Sequence, residues 1–380
     1  MANTLKFGNG EWYGKKDTIL AYNDLNSNYK PLPFNFSRAS KATRVNKDGL
    51  IEEVDSGQPR VDYLNNTKGA MLLEPSRTNL VSYSEDFNLL VKKNNAVVTS
   101  NATLSPSGSL NADEITFDGT AYGRVEAVVP ATVGQTYTIS LYLKNKDLSD
   151  KTQVWIGFSQ SSQGGYVTIT DEWQRYDITT TSDGTSEYPR IQFGGTGSLY
   201  AWGFQTEQQS YATSYIPTNG SAVTRVADSC SQTVPDGVIG QTEGSVFLDI
   251  TRDGLESYTQ RVLTLSNGTT NNVIGLQLTA ANQITFYVEN GGSNQVVITK
   301  SNATTENVNV KIGVSYKAND FVMYIDGVQV GVDTSGSVPT TSVIKYANPS
   351  GSLQYVGVVN NFKLYNTRLS NSELQALTQV

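Results

Sequence analysis

The sequence predicts an all-β chain: two β-sandwich domains, an irregular N-terminal segment containing a β-hairpin, and one short C-terminal helix. Three observations carry this. The run from Lys311 to Val330 reads as three short strands, with Val314 and Tyr316 alternating with Gly313 and Ser315, and Val322 and Tyr324 alternating with Met323 and Ile325. Period-2 alternation gives each strand one buried face. Short runs of the same kind recur through the last two-thirds of the chain, separated by Gly, Asp and Ser turns, which is the spacing of a sandwich. Ser370 followed by Glu373 is a capping box and the one clear helix start.

Taken in order, residues 1–84 are turn-rich, with Pro31 and Pro33 close together. Within them residues 42–54 form a hairpin with Asp48 and Gly49 at the tip. This segment holds too few apolar residues for a large core, so it leans on a neighbouring domain or another copy of the chain. Residues 85–230 form the first sandwich, with strands at 136–143, 153–158, 165–170, 173–178, 190–193 and 199–204. Residues 231–243 are a linker containing Pro235, Gly237 and Gly240. Residues 244–380 form the second sandwich. Its strands include 244–250, 261–265, 273–278, 283–288, 295–299, 354–359 and 361–365. Asp326-Gly327 suits the positive φ angles of a type I′ hairpin turn, and the helix should run from Ser372 to about Thr378.

Composition narrows the function. The 380 residues suffice for two or three cores. Only 17% are charged, whereas 21 Tyr, 12 Phe and 4 Trp supply packing, so the chain is not disordered. A net charge of −7 argues against nucleic acid and anionic membranes as partners. No apolar run approaches a membrane span, and no basic-then-apolar leader opens the chain. The expectation is a protein made and folded in a host cytoplasm. Cys230 stands alone, so no intrachain disulfide forms. There is no histidine, which removes the commonest general base and every imidazole metal ligand.

Residues 37–53, 59–63 and 72–80 look like a segment common in structural proteins of tailed bacteriophages. Residues 200–207, 211–218 and 223–228 resemble the carbohydrate-binding-like module of phage head-spike and tail-fibre proteins. The last domain resembles the laminin-G/concanavalin-like jelly roll often appended to them. The resemblance implies a virion appendage, a head or tail fibre or spike, that binds host-surface glycans. It also implies virion partners met through residues 1–84, a homotrimer, and no chemistry. The alternatives are a purely structural decoration without a ligand, and a polysaccharide depolymerase.

Candidate site residues follow. Trp155 lies on the face opposite Val154 and Ile156, so it either stacks on a sugar ring or packs under a loop or another subunit. Tyr166 and Tyr287 complete the candidate ligand-binding set. Trp173 reads as a cover for one end of the core, and Trp202 as core, sharing a side with Tyr200 and Phe204. Trp12 reads as an anchor for its segment. No cofactor is expected beyond structural calcium, for which Glu85, Asp86 and Asp228 are the candidates. No acidic residues form a convincing glycosidase pair, so no catalytic residue is assigned. Arg38, Arg44, Arg60 and Arg77 are expected to pair with Glu52, Asp62 or Glu74.

Overall fold

The structure, a computed structural model, describes residues 5–23, 30–93, 95–159, 163–254 and 256–380. Of the segment expected to hold a virion anchor, residues 1–4 and 24–29 lie outside the described residues. The regular structure described is almost all strand, and the helix Asn371–Thr378 follows the expected Ser370 and Glu373 capping box. The chain forms two compact units, one of residues 1–39, 54–75 and 227–380, the other of 40–53 and 76–226. The first 84 residues are therefore shared between the two.

In the first unit, Glu243–Thr251 runs antiparallel between Asn309–Lys317 and Gly357–Tyr365, with Phe321–Ile325 and Val328–Asp333 beyond. A second run of strands goes Val343–Lys345, Gln260–Ser266, Val273–Leu278, Gln283–Asn290, Ser293–Ser301. The N-terminal strands join the two runs. Leu5–Gly8 adds to Gly357–Tyr365, Thr18–Asn23 adds to Leu5–Gly8, and Lys30–Ser37 adds to Thr18–Asn23 and reaches Ser229–Thr233, which pairs with Val343–Lys345. The hydrogen-bond ladder is unbroken from one run to the other.

The prolines that made residues 31–33 read as irregular sit inside this strand. Pro31 and Pro33 pair with Tyr22 and Leu20, but Ser229–Thr233 reaches only residues 35–37. Where the prolines stand, the strand has a neighbour on one side, so the missing N–H groups cost no ladder bond. Phe7, Phe34 and Phe36 enter the same core as Leu248, Phe286, Tyr316 and Phe362. Trp12 packs against it, edge-on to Phe7, and donates to the Gly69 carbonyl at 2.9 Å.

The Phe321–Ile325 strand was expected to bury one face and buries both. Phe321, Met323 and Ile325 enter the core, while Val322 and Tyr324 pack under Leu374 of the helix. The turn that follows has φ of 47° at Asp326 and 76° at Gly327, as the dipeptide predicts.

A buried charge network lies at the meeting point of Lys30–Ser37 and Ser229–Thr233. Arg60 donates to both Glu74 and Asp228, and Arg38 donates to Asp228 at 3.1 Å. The Glu74 backbone N–H adds a third donor to Asp228 at 2.9 Å. All four side chains are excluded from solvent. Burial disfavours the Arg60 charge, but Asp228 and Glu74 outweigh it and raise the guanidinium above its ordinary range.

The second unit is a sandwich of two five-stranded antiparallel sheets. One runs Ala96–Leu104, Leu110–Asp118, Thr196–Gln208, Thr136–Asn145, Gln174–Thr181. The other runs Val91–Lys93, Gly123–Glu126, Arg190–Phe193, Val154–Gly157, Gly164–Val167. Between them lie Ile139, Leu141, Leu143, Phe117, Ile156, Ile191, Phe193 and Phe204. Trp202 does not share a side with Phe204. Gly203 adopts a φ of 69°, and the register slips opposite Leu141, so a β-bulge inverts the alternation. Phe204 faces the core, while Trp202 packs outside it with Ile51, Ala112 and Tyr215. Ile51 comes from the 42–54 hairpin, which covers this outer cluster. Trp173 also packs there, donating to the Leu104 carbonyl at 3.0 Å, and so covers the outer cluster instead of the sandwich core.

Two expectations follow for the first unit. Arg60→Ala leaves Asp228 and Glu74 short of a buried counter-charge and should cost about 3–5 kcal/mol, read as a lower urea midpoint at constant slope. Asp253 is the second. Burial, reinforced by Glu74 and Asp62, pushes its carboxyl up to about 8. A carboxyl raised in the folded state keeps its proton there while the unfolded chain has lost it. Stability should then fall as pH rises from about 4 to about 8, because the unfolded carboxyl titrates near ~3.9. Asp253→Asn should flatten that slope in denaturation series at several pH values.

Candidate functional site

The sheet Val91–Lys93 to Gly164–Val167 turns Val125, Val154, Ile156, Ile191 and Phe193 into the core. Strand alternation then sends their neighbours outward. Cross-strand register aligns Arg124, Gln192, Trp155 and Tyr166 in one row, and Glu126, Arg190, Gly157 and Gly164 in the next. The outer face thus carries two guanidinia, one carboxylate, an amide and two aromatic rings.

Trp155 and Tyr166 meet edge to face, centroids 5.3 Å apart at 76°. A Cβ on Gly164 would come within 2.6 Å of the Trp155 ring, so the indole lies over the bare backbone there. Of the two readings of Trp155, stacking on a sugar or packing, its burial fits packing: it is only 8% exposed, whereas Tyr166 is 54% exposed and presents the accessible aromatic surface. Tyr122, 59% exposed, packs beside Gly194 at the end of Arg190–Phe193, adding another aromatic edge.

Arg190 is buried and donates to the Ser159 carbonyl at 2.7 Å. Burial and then the nearby Arg124 lower its pKa, with Glu126 opposing. Arg124 Nε lies 3.1 Å from Glu126 Oε2. Arg190 Nε and Trp155 Nε1 are buried donors with no hydrogen-bond partner, and Gln163 Oε1 is a buried acceptor with none. Unsatisfied buried polar atoms are costly, and among the described residues Arg175 Nε, Arg368 Nε and Trp202 Nε1 are further examples elsewhere in the protein. Arg124, Arg190, Gln192 and Tyr122 were missed in the sequence reading. The signal was the apolar alternation in Arg190–Phe193, whose polar members had to face outward.

The other candidates fall elsewhere. Tyr287, in the first unit, is 7% exposed and lies under the Arg261 guanidinium, 4.7 Å from the ring centroid. Burial, partly offset by Arg261, pushes its hydroxyl up to about 12. It offers no free ring for stacking.

The calcium candidates do not converge. Asp228 belongs to the first unit and its carboxylate is taken by Arg38, Arg60 and the Glu74 N–H. Glu85 and Asp86 line a cleft of ≈ 430 Å³ in the second unit, with Tyr83, Asn111 and Asp113. Glu85 accepts from Asn111 Nδ2 at 2.7 Å and from the Tyr215 hydroxyl at 2.9 Å, and Asp86 caps the short turn Phe87–Leu89. Burial raises the Asp113 carboxyl although it accepts from the Phe87 and Asn101 N–H groups. Among the described residues no group of three or more His, Cys, Asp or Glu side chains is arranged to hold a metal ion.

Residues 226–375, within the jelly roll of the first unit, match a family model described as the concanavalin A-like lectin/glucanases superfamily, a laminin-G type of domain. Comparison with curated proteins gives no match. Among solved structures, the chain is similar to the CBM40 of a Ruminococcus gnavus IT-sialidase bound to α2,3-sialyllactose, at 16% identity, covering 37% of this chain and 84% of that one, with a TM-score of 0.33. It is also similar to a leech intramolecular trans-sialidase, at 16% identity, covering 37% and 24%, with a TM-score of 0.32. A SAP-like pentraxin from Limulus polyphemus follows, at 8% identity, covering 35% and 68%, with a TM-score of 0.27.

The glycines beneath the outer face give a structural test. A Cβ on Gly164 would lie 2.5 Å from the Ile156 carbonyl oxygen and 2.6 Å from Gly157 Cα, both backbone. Gly164→Ala should cost about 1–3 kcal/mol and change the near-UV circular dichroism from the Trp155 and Tyr166 pair.

Proposed function

We propose that this chain is a non-enzymatic appendage of a tailed-phage virion, a head or tail fibre or spike, that binds host-surface glycans. The observation that carries the glycan reading is the outer face holding Arg124, Trp155, Tyr166, Arg190 and Gln192. An exposed aromatic ring supplies an apolar platform for a sugar ring, and neighbouring polar groups fix its hydroxyls. The lectin-type jelly roll of residues 226–375 supports the binding class. The resemblance of residues 37–53, 59–63, 72–80, 200–207, 211–218 and 223–228 to phage structural and fibre proteins supports the virion location. Absence of histidine and of a facing carboxylate pair in the sequence supports recognition without turnover.

The physical logic is avidity. One shallow face binds weakly, and several copies on one particle gain roughly 10²–10⁴-fold without new contacts. A homotrimer serves that purpose, because a closed threefold presents three identical faces.

Tyr166→Ala tests the reading. The residue is exposed, so the fold should survive. Binding of labelled protein to host cells and to a glycan array should weaken about fivefold or more, the value of one aromatic contact. Wild-type protein that binds no host strain and no arrayed glycan would leave the decoration alternative. Polymer cleavage by wild-type protein, lost on changing one acid, would establish a depolymerase.

A further inference from the structure

We infer that the outer-face site of the second unit selects glycans carrying a carboxylate. This rests on the glycan reading above and names the chemical class of its ligand. The argument is an account of donors. Across two adjacent rows the face holds Arg124 and Arg190 against the single carboxylate of Glu126. Arg190 Nε and Trp155 Nε1 are buried N–H groups without an acceptor. Both residues are more than nine-tenths buried, Arg190 and Trp155 each at 8% exposure.

A neutral sugar brings hydroxyls, each of which donates as well as accepts. A carboxylate brings only acceptors, two oxygens with about four lone-pair positions between them. It therefore suits a site whose surplus is in donors, and its charge offsets the mutual repulsion of two close guanidinia. Arginine forks match a carboxylate in a plane, giving paired, charge-assisted hydrogen bonds. The chain as a whole carries −7. A local excess of positive charge on one sheet face is thus a property of that face and not of the protein's surface in general. Tyr166, exposed at the far end of the Arg124, Gln192, Trp155 row, offers the accessible ring of this face to a sugar whose carboxylate reaches the arginines.

The experiment uses the purified full chain and calorimetric titration with acidic oligosaccharides in matched pairs, native and carboxyl-reduced, together with neutral oligosaccharides and sulfated ones. The native member of a binding pair should bind at least about tenfold more tightly than its reduced partner, the value of a charge-assisted pair. Arg124→Gln should abolish that preference, read as the ratio of native to reduced affinities. Arg124 is partly exposed, with 27% of its side chain accessible, so this variant should fold. Equal affinity for native and reduced sugars, with Tyr166→Ala still weakening both, would overturn the carboxylate assignment and leave the glycan reading standing. Sulfated sugars binding as tightly as carboxylates would also overturn it. Binding to no sugar of any class would remove both.

Discussion

The buried pairing of Arg60 with Asp228 is the constraint on which the first unit depends. The two residues lie 168 positions apart, and the ion pair is inaccessible to solvent. A buried charge is tolerable only when its partners are fixed. Here the partners come from four separate stretches of chain, through Arg38, Arg60, Glu74 and Asp228. Arg38 directly follows Lys30–Ser37, Asp228 directly precedes Ser229–Thr233, and Ser37 pairs with Ser229. The network therefore sits at the end of the ladder that carries the N-terminal strands onto the rest of the jelly roll. A slip of that register by one residue would turn Phe34 and Phe36 out of the core and would also separate Arg38 from Asp228. Packing and charge specify the same alignment.

The second unit uses the same device with fewer charges. Glu207 and Arg225 are buried, and Thr213 bridges them: its N–H and hydroxyl donate to Glu207, and its hydroxyl accepts from Arg225 at 3.2 Å. Asn79 donates to the carbonyls of Phe204 and Ile216 and accepts from the Thr206 N–H. These residues lie in the stretches 72–80, 200–207, 211–218 and 223–228, and in this structure they hold chain segments together. That separates two kinds of arginine. Arg38, Arg60 and Arg225 are spent on the fold. Arg124 and Arg190 share one carboxylate on an outer face, and Arg190 also donates to the Ser159 carbonyl.

Legibility followed locality. The Asp326-Gly327 turn, the Ser370 and Glu373 cap and the clean alternation of Thr136–Asn145 each involve residues close in sequence, and each could be read directly. Trp202 could not, because its facing depends on a bulge set by the partner strand. The Pro31 and Pro33 strand was hidden for a similar reason: proline in a strand is acceptable only when its open side is known, and the neighbours lie in distant sequence. Asp228 read as a calcium candidate, since its arginine partners lie more than 150 residues away. The site was half legible. Trp155 and Tyr166 stood out as aromatics, but Arg124 and Arg190 belong to strands of four residues each, too short for a pattern to separate a site from a surface.

Sheet faces make good recognition surfaces because their geometry is not negotiable. Each residue of the Arg124, Gln192, Trp155 and Tyr166 row is held by a strand whose next residue packs into the core, so the row keeps its arrangement. The adjacent row ends in Gly157 and Gly164, direct partners across two strands. The absence of side chains there lets the Trp155 indole lie down over backbone instead of standing into solvent, which explains both its burial and its edge contact with Tyr166. The tryptophan therefore works as a support. It buttresses the exposed tyrosine through their edge-to-face contact.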